Sequence, residues 1–137
     1  MPEARLVWQE GLQFEAHVVG GHTLLMDSPI GSNAGPGPMA LVLAALGGCT
    51  AMDVISILHK KRQPVTAFEV VVRAERAEEH PKVYTGFEIV YIVQGEGVDR
   101  RAVERAVFLS EEKYCSVGVM LGKVAPIRST IRLDSDE

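Results

Sequence analysis

The 137-residue sequence has little of several features that mark particular classes of protein. It carries 14 Lys and Arg residues against 18 Asp and Glu residues, a formal net charge of −4. Nucleic-acid binding depends on clustered cationic side chains that displace counterions from phosphates, and the longest basic run is Lys60-Lys61-Arg62. The first residues, Met1 to Arg5, lack the charged and then apolar layout of a secretory signal. We therefore expect a cytoplasmic protein with no nucleic-acid partner.

Patterns typical of metal and nucleotide sites are also missing. The four histidines occur in separate segments without the spacing of metal ligands, and there is no Cys-x-x-Cys pair. The glycine-rich residues 31–38 lack the Lys-Ser/Thr end of a phosphate-binding loop. We expect neither a metal nor another cofactor.

One apolar stretch, residues 39–58, has the length of a membrane span and a single charge, Asp53. A lone Asp near the centre of a bilayer is costly, and no second span is present to shelter it. The composition therefore favours a helix buried in a protein core rather than in a membrane. Because residues 39–46 are apolar on every side, this half of the helix is expected to be completely buried, in an interior or an interface.

Length and composition predict one α+β domain spanning residues 1–137. Alternating apolar residues separated by Gly11 and Gly20-Gly21 predict an antiparallel meander. Pro38 suits the first turn of the long helix, which Pro64 stops. The predicted strands are residues 4–8, 12–18, 22–27, 67–75, 84–93 and 127–133, and the later helices are residues 100–113, capped by Asp99, and residues 117–122.

Only two cysteines occur, Cys49 in the long helix and Cys115 after the second helix. A reducing compartment disfavours structural disulfides, so the two residues are either inert buried thiols or a redox pair. Free cysteine is among the most frequently buried residue types. Residue chemistry alone leaves both interpretations open.

The context of each cysteine resembles a known family. The segment LVLAALGGC over residues 41–49, preceded by Pro38-Met39, and the segment EKYCSV over residues 112–117 are similar to the OsmC/Ohr family of thiol peroxidases, in particular its YhfA-like branch. The resemblance covers nearly the whole chain. It implies an α+β fold with antiparallel sheets, a long buried central helix and an intertwined homodimer. The Gly47-Gly48 pair would allow close approach of another helix.

The resemblance also implies a two-cysteine cycle. Cys49 would be the peroxidatic thiol that attacks an organic hydroperoxide, and Cys115 would resolve the sulfenic acid as a disulfide that an external dithiol then reduces. A disulfide requires the two Cα atoms to lie within roughly 4.4 to 6.8 Å. The fold must therefore bring together residues that are distant in the sequence.

The sequence departs from the family pattern at the start of the long helix. Peroxidases of the family resemble one another in a Pro-Glu-Glu segment whose acid holds an Arg near the thiol, whereas this chain has Pro38-Met39-Ala40. Arg5, His22, Lys113 or an Arg of a second subunit could supply the cation instead. The negative charge of Asp53, one helical turn after Cys49, disfavours a thiolate unless it is paired with Arg or Lys.

This departure supports an alternative function, a non-catalytic dimeric module of the same fold that binds an apolar ligand in its cleft. A further expectation concerns residues 111–113, Glu-Glu-Lys, which have the composition of a solvated helix end.

Overall fold

The computed structural model describes residues 1–136. The chain divides into two compact units, Met1–Val42 and a second unit that begins at Leu43. The first unit contains one antiparallel sheet in the order β1-β2-β3, as predicted. Gly11, Gly20 and Gly21 have positive φ angles in its two hairpin turns, a conformation that side chains with a Cβ rarely adopt. The strands are β1 (Arg5–Glu10), β2 (Gln13–Val18) and β3 (His22–Met26).

A buried carboxylate organises the loop after β3. Asp27 accepts hydrogen bonds from the backbone N–H groups of Ala34, at 3.0 Å, and Ser28, at 2.7 Å. Both hydrogen bonds lower the pKa of Asp27 below its ordinary value, and the bond from Ala34 has the larger effect. A Cβ on Gly35 would lie 2.3 Å from the carbonyl oxygen of Leu25, so glycine is required where this loop returns to β3.

Helix α1 (Pro38–Lys60) begins in the first unit and continues into the second. Leu46, Thr50, Val54 and Leu58 are buried and recur every four residues, so one stripe of the helix faces the core. The complete burial predicted for residues 39–46 is wrong within a single chain, since Ala40, Ala44 and Ala45 are exposed. By length and composition alone α1 could cross a membrane, a test that core helices of soluble proteins also pass.

The second unit contains a three-stranded sheet in the order β4-β5-β6. The expectation of purely antiparallel sheets is wrong here: β4 and β5 are antiparallel, but β5 and β6 are parallel. A parallel pair needs a long crossover connection, which the segment carrying the later helices provides. The central strand β5 is the most buried, and the strands are β4 (Ala67–Arg76), β5 (Tyr84–Gln94) and β6 (Ile127–Leu133).

The crossover contains two α-helices joined by a wider turn. Asp99 caps helix α2 (Arg100–Leu109), as predicted, by accepting a hydrogen bond from the N–H of Arg101. The helix predicted to reach residue 113 instead becomes a π-helical turn, Ser110–Tyr114. This turn ends where the N–H of Cys115 donates to the carbonyl of Ser110 at 2.8 Å, and helix α3 (Ser116–Leu121) follows. The π turn thereby sets the position of Cys115.

Candidate functional site

The second unit brings the two cysteine side chains together. Cys49 lies half-buried on α1, whereas Cys115, at the end of the π turn, is 1% exposed. The two thiols lie close enough to interact, and both are reduced. A redox pair requires that its two thiols lie close together, and the sequence alone could not show that they do.

The environment of Cys115 favours the protonated thiol. Burial has the largest effect on Cys115 and raises its pKa to about 12. The interaction with Cys49 and the negative charge of Asp53 act in the same direction. One interaction opposes them: the N–H of Gly118 donates to Cys115 Sγ at 3.3 Å, because the sulfur caps the start of α3. Cys115 therefore keeps its proton at neutral pH.

The expected cation would stabilise the thiolate of Cys49. Within residues 1–136, the groups that act most strongly on the neighbouring Cys115 include no Lys, Arg or His. Lys113 is exposed and lies over the ring of Tyr114, 5.3 Å from its centroid. Arg5 and His22 belong to the first unit, where each is exposed.

Asp53 has a partner other than the expected Arg or Lys. Its Oδ2 atom accepts a hydrogen bond from the Ser110 hydroxyl at 2.9 Å. A neutral donor does not cancel the negative charge of a carboxylate, and Asp53 accordingly still raises the pKa of Cys115.

Three buried hydroxyl groups connect Asp53 to a second carboxylate, and we call these three groups the hydroxyl chain. Thr50 Oγ1 lies 2.8 Å from both Ser110 Oγ and the Tyr91 hydroxyl oxygen. The Tyr91 hydroxyl donates to Glu111 Oε2 at 2.9 Å. Burial raises the pKa of Tyr91 well above its ordinary value, so this residue keeps its hydrogen. The chain runs from Asp53 through Ser110, Thr50 and Tyr91 to Glu111.

Sequence reasoning missed the hydroxyl chain. The signal was weak: Thr50, Tyr91 and Ser110 each lie next to apolar residues in separate segments, and buried polar side chains are common in cores when they are hydrogen-bonded. The expectation that Glu111 belongs to a solvated helix end is wrong. Glu111 is half-buried, because the π turn directs it toward Tyr91 and toward Ser129, whose hydroxyl donates to Glu111 Oε1 at 3.2 Å. Glu112 and Lys113 are exposed as predicted.

A cavity of about 290 Å³ adjoins Cys115 and one member of the hydroxyl chain, Thr50. Glu111 and Glu112 also line it, and the apolar part of the wall includes Leu46 and Ile89. The cavity is large enough for several water molecules or for a small apolar compound. Among residues 1–136, no group of three His, Cys, Asp or Glu side chains is arranged to hold a metal ion.

Comparisons with known proteins agree with this architecture. Residues 31–130 match the family model described as OsmC-like protein. Protein YhfA of Escherichia coli strain K12 is 49% identical over 125 residues, which cover 91% of this chain and 92% of that protein. A crystal structure of a protein from Aquifex aeolicus is 33% identical with a TM-score of 0.87, covering 98% of this chain and 96% of that one.

A more distant structure shares the fold. An organic hydroperoxide resistance protein from Elizabethkingia anophelis is 12% identical with a TM-score of 0.69, covering 98% of this chain and 96% of that one. The fold is thus the α+β arrangement of OsmC-like proteins. The chain belongs to the OsmC family, in its YhfA-like branch.

Proposed function

We propose that the protein reduces organic hydroperoxides through a cycle in which Cys49 is the peroxidatic and Cys115 the resolving cysteine. The observation that carries this proposal is the proximity of a half-buried thiol on α1 to a buried thiol after the π turn. The difference in exposure suggests the two roles. Cys49 is the more accessible thiol and would meet a hydroperoxide first, and Cys115 is placed to react with the sulfenic acid that forms on Cys49.

The chemistry balances in three steps. The Cys49 sulfur attacks the O–O bond of ROOH, an S–O bond forms, and the leaving alkoxide takes the thiol proton, which gives Cys49-SOH and ROH. Cys115-SH then reacts with Cys49-SOH to give the disulfide and water. An external dithiol reduces the disulfide and becomes oxidised itself. The protein returns to its dithiol form.

The residues that follow Pro38 do not supply the acid of the Pro-Glu-Glu segment. Cys115 keeps its proton at neutral pH and lies near Cys49, so a protonated thiol is the neighbour of the peroxidatic sulfur.

The test compares the native chain with Cys49→Ser and Cys115→Ser in an assay with cumene hydroperoxide and a dithiol. We expect Cys49→Ser to lose all turnover. Cys115→Ser should stop after the first step, with one dimedone adduct on Cys49 that marks the sulfenic acid. Turnover by Cys49→Ser at the native rate would refute the mechanism.

We also propose that the protein is a homodimer. The groove between α1 and β4 is lined by small and apolar residues and adds about 400 Å³ of open space, in which a Cβ on Gly48 would meet no atom within 4 Å. In the first unit, Leu6 and Trp8 are exposed on one strand. A second copy of the chain would cover such surfaces by two-fold symmetry. Sedimentation velocity is the direct measurement, and a monomer at every concentration would refute this part of the proposal.

A second candidate function is binding of an apolar ligand in the cavity beside Cys115. Two observations favour it. Apolar side chains, among them Leu46 and Ile89, form part of the cavity wall, and among residues 1–136 no cation is found among the groups that act most strongly on Cys115. Native mass spectrometry of the purified protein separates the two candidates. A co-purified or exchangeable ligand together with no peroxide turnover would favour binding, whereas rapid turnover by an empty protein would exclude it.

A further inference from the structure

We propose that the hydroxyl chain between Asp53 and Glu111 is a proton relay that accepts the proton of Cys115 when this thiol attacks an oxidised Cys49. The identification of Cys115 as the attacking thiol rests on the proposed function. The relay assigns a role to Thr50, Tyr91 and Ser110, which the two-cysteine cycle does not use.

Counting hydrogens shows why the chain can accept a proton. Four links join Asp53 to Glu111: Asp53 to Ser110, Ser110 to Thr50, Thr50 to Tyr91 and Tyr91 to Glu111. Each link uses one hydrogen, and the three hydroxyls provide three. With both carboxyls ionised, Ser110 and Tyr91 direct their hydrogens to the carboxylates, so Thr50 can donate to only one of its two neighbours.

A fourth hydrogen completes the chain. If a proton binds Glu111, that carboxyl can donate to Tyr91, Tyr91 to Thr50, Thr50 to Ser110 and Ser110 to Asp53. All four links then hold one hydrogen each, and no heavy atom has moved. The chain therefore accommodates one added proton and can transfer it between its two ends when each hydrogen moves along its link to the neighbouring oxygen.

The cavity connects Cys115 to the relay. Cys115, Thr50 and Glu111 all line the same space of about 290 Å³, which is large enough for water. A water molecule there can carry the proton from Sγ to the Glu111 carboxylate. The other titratable groups around this thiol are Cys49, Asp53 and Glu112.

Backbone and side-chain hydrogen bonds are available at both the donor and the acceptor of the proton. The thiolate that Cys115 becomes accepts a hydrogen bond from the N–H of Gly118, whose distance to Sγ is 3.3 Å. Glu111 also accepts a hydrogen bond from Ser129, an exposed residue of β6, so the relay reaches the protein surface.

The proton balance of the resolving step is complete. Cys115-SH passes its proton to the relay, and the resulting thiolate attacks the Cys49 sulfur of Cys49-SOH. The S–S bond forms, the S–O bond breaks, and the hydroxide that leaves takes a proton from the relay to become water. The relay ends the step in its starting state.

The experiment uses dithiobis(nitrobenzoate) on the full-length reduced protein, because this disulfide separates the two thiols in time. Attack by Cys49 releases one coloured thionitrobenzoate, and attack by Cys115 on the mixed disulfide releases a second. Thr50→Val removes the central hydroxyl at similar size, and Thr50→Ser restores it. In Thr50→Val, Ser110 and Tyr91 can still donate to the Asp53 and Glu111 carboxylates, so folding should be retained. Tyr91→Phe is a second variant that breaks the relay at another link.

We expect Thr50→Val and Tyr91→Phe to slow the second release by about 10- to 100-fold, a modest share of what general acid–base groups contribute. The first release should change little, and Thr50→Ser should recover the second. The slowed release should also rise about tenfold per pH unit, because hydroxide must then remove the proton. The native chain should show a flatter pH profile, because its relay rather than hydroxide accepts the proton. With a purely structural network the native chain and the variants would share the tenfold rise.

Equal second releases in the native chain and both hydroxyl-deletion variants would overturn the relay. Release of fewer than two equivalents by the native chain would overturn it as well, because Cys115 would then not attack Cys49. Peroxide turnover is measured separately. A relay-dependent second release without peroxide turnover would reject the proposed function and keep the relay.

Discussion

The thiols of Cys115 and Cys49 lie close enough to interact, although a hairpin and a helix separate the two residues in the sequence. The contact depends on the π turn, in which the N–H of Cys115 bonds to the carbonyl five residues earlier rather than four. A continuous α-helix through residue 115 would rotate the side chain away from this position. The thiol pair is thus a property of local backbone geometry as well as of the core.

Oxidation should stabilise the protein. A disulfide between Cys49 and Cys115 would remove about 4 kcal/mol of chain entropy from the unfolded state, in the loop-closure treatment. Differential scanning calorimetry of the oxidised and the reduced native chain should therefore give a higher Tm for the oxidised form. Cys115→Ser is the control and should show no such shift. Equal Tm values for the two native forms would contradict the prediction.

The raised pKa of Cys115 predicts a loss of stability in alkaline solution. A group whose folded-state pKa is raised stabilises the protein below its unfolded pKa, and this contribution is lost as pH rises toward the folded value. For Cys115 the interval runs from about 9 to about 12. Urea unfolding of the reduced protein across this interval should show a steeper decline in stability for the native chain than for Cys115→Ala.

The rate of alkylation should differ between Cys49 and Cys115. At pH 8, iodoacetamide should modify Cys49 in the native protein and leave Cys115 unmodified until the chain unfolds, because Cys115 is both buried and protonated. Peptide mass mapping after timed quenching gives the two rates. Faster modification of Cys115 than of Cys49 would contradict the assignment of the attacking thiol.

The Asp27 carboxylate predicts acid sensitivity in the first unit. Its pKa is lowered by the backbone N–H groups of Ala34 and Ser28, so its stabilising contribution is present above the unfolded pKa and is lost as pH falls through the folded value. Asp27→Asn should lower the Tm at neutral pH and flatten its dependence on acid pH. Hydrogen exchange should show faster exchange of the Ala34 amide in the variant; unchanged exchange would contradict the role of Asp27.

Gly48→Ala tests whether the glycine on α1 serves an interface. In a single chain the added Cβ meets open space, and alanine favours a helix interior over glycine by about 1 kcal/mol. If a second copy packs against this surface, the variant should weaken the dimer while leaving the monomer folded. Sedimentation at several concentrations measures both effects. An unchanged dimer affinity would place the interface elsewhere.

Much of the fold could be predicted because its signals are local. Alternation, turn glycines, Pro38 and the cap at Asp99 each act within a few residues, and they located all six strands and the main helices. The direction of β6 was not predictable in this way. A strand carries the same alternation whether its neighbour is parallel or antiparallel, so only the crossover geometry decided it.

The candidate site likewise has features that the sequence determined and features that only the tertiary structure decided. The sequence by itself determined that two cysteines occur in the motifs of one family and that no acid follows Pro38. Tertiary structure alone decided that the thiols touch, that Asp53 bonds to Ser110 rather than to a cation, and that three hydroxyls join two carboxylates. The reason is that burial and hydrogen bonding depend on residues from α1, β5 and the π turn meeting in space, which spacing along the chain does not encode.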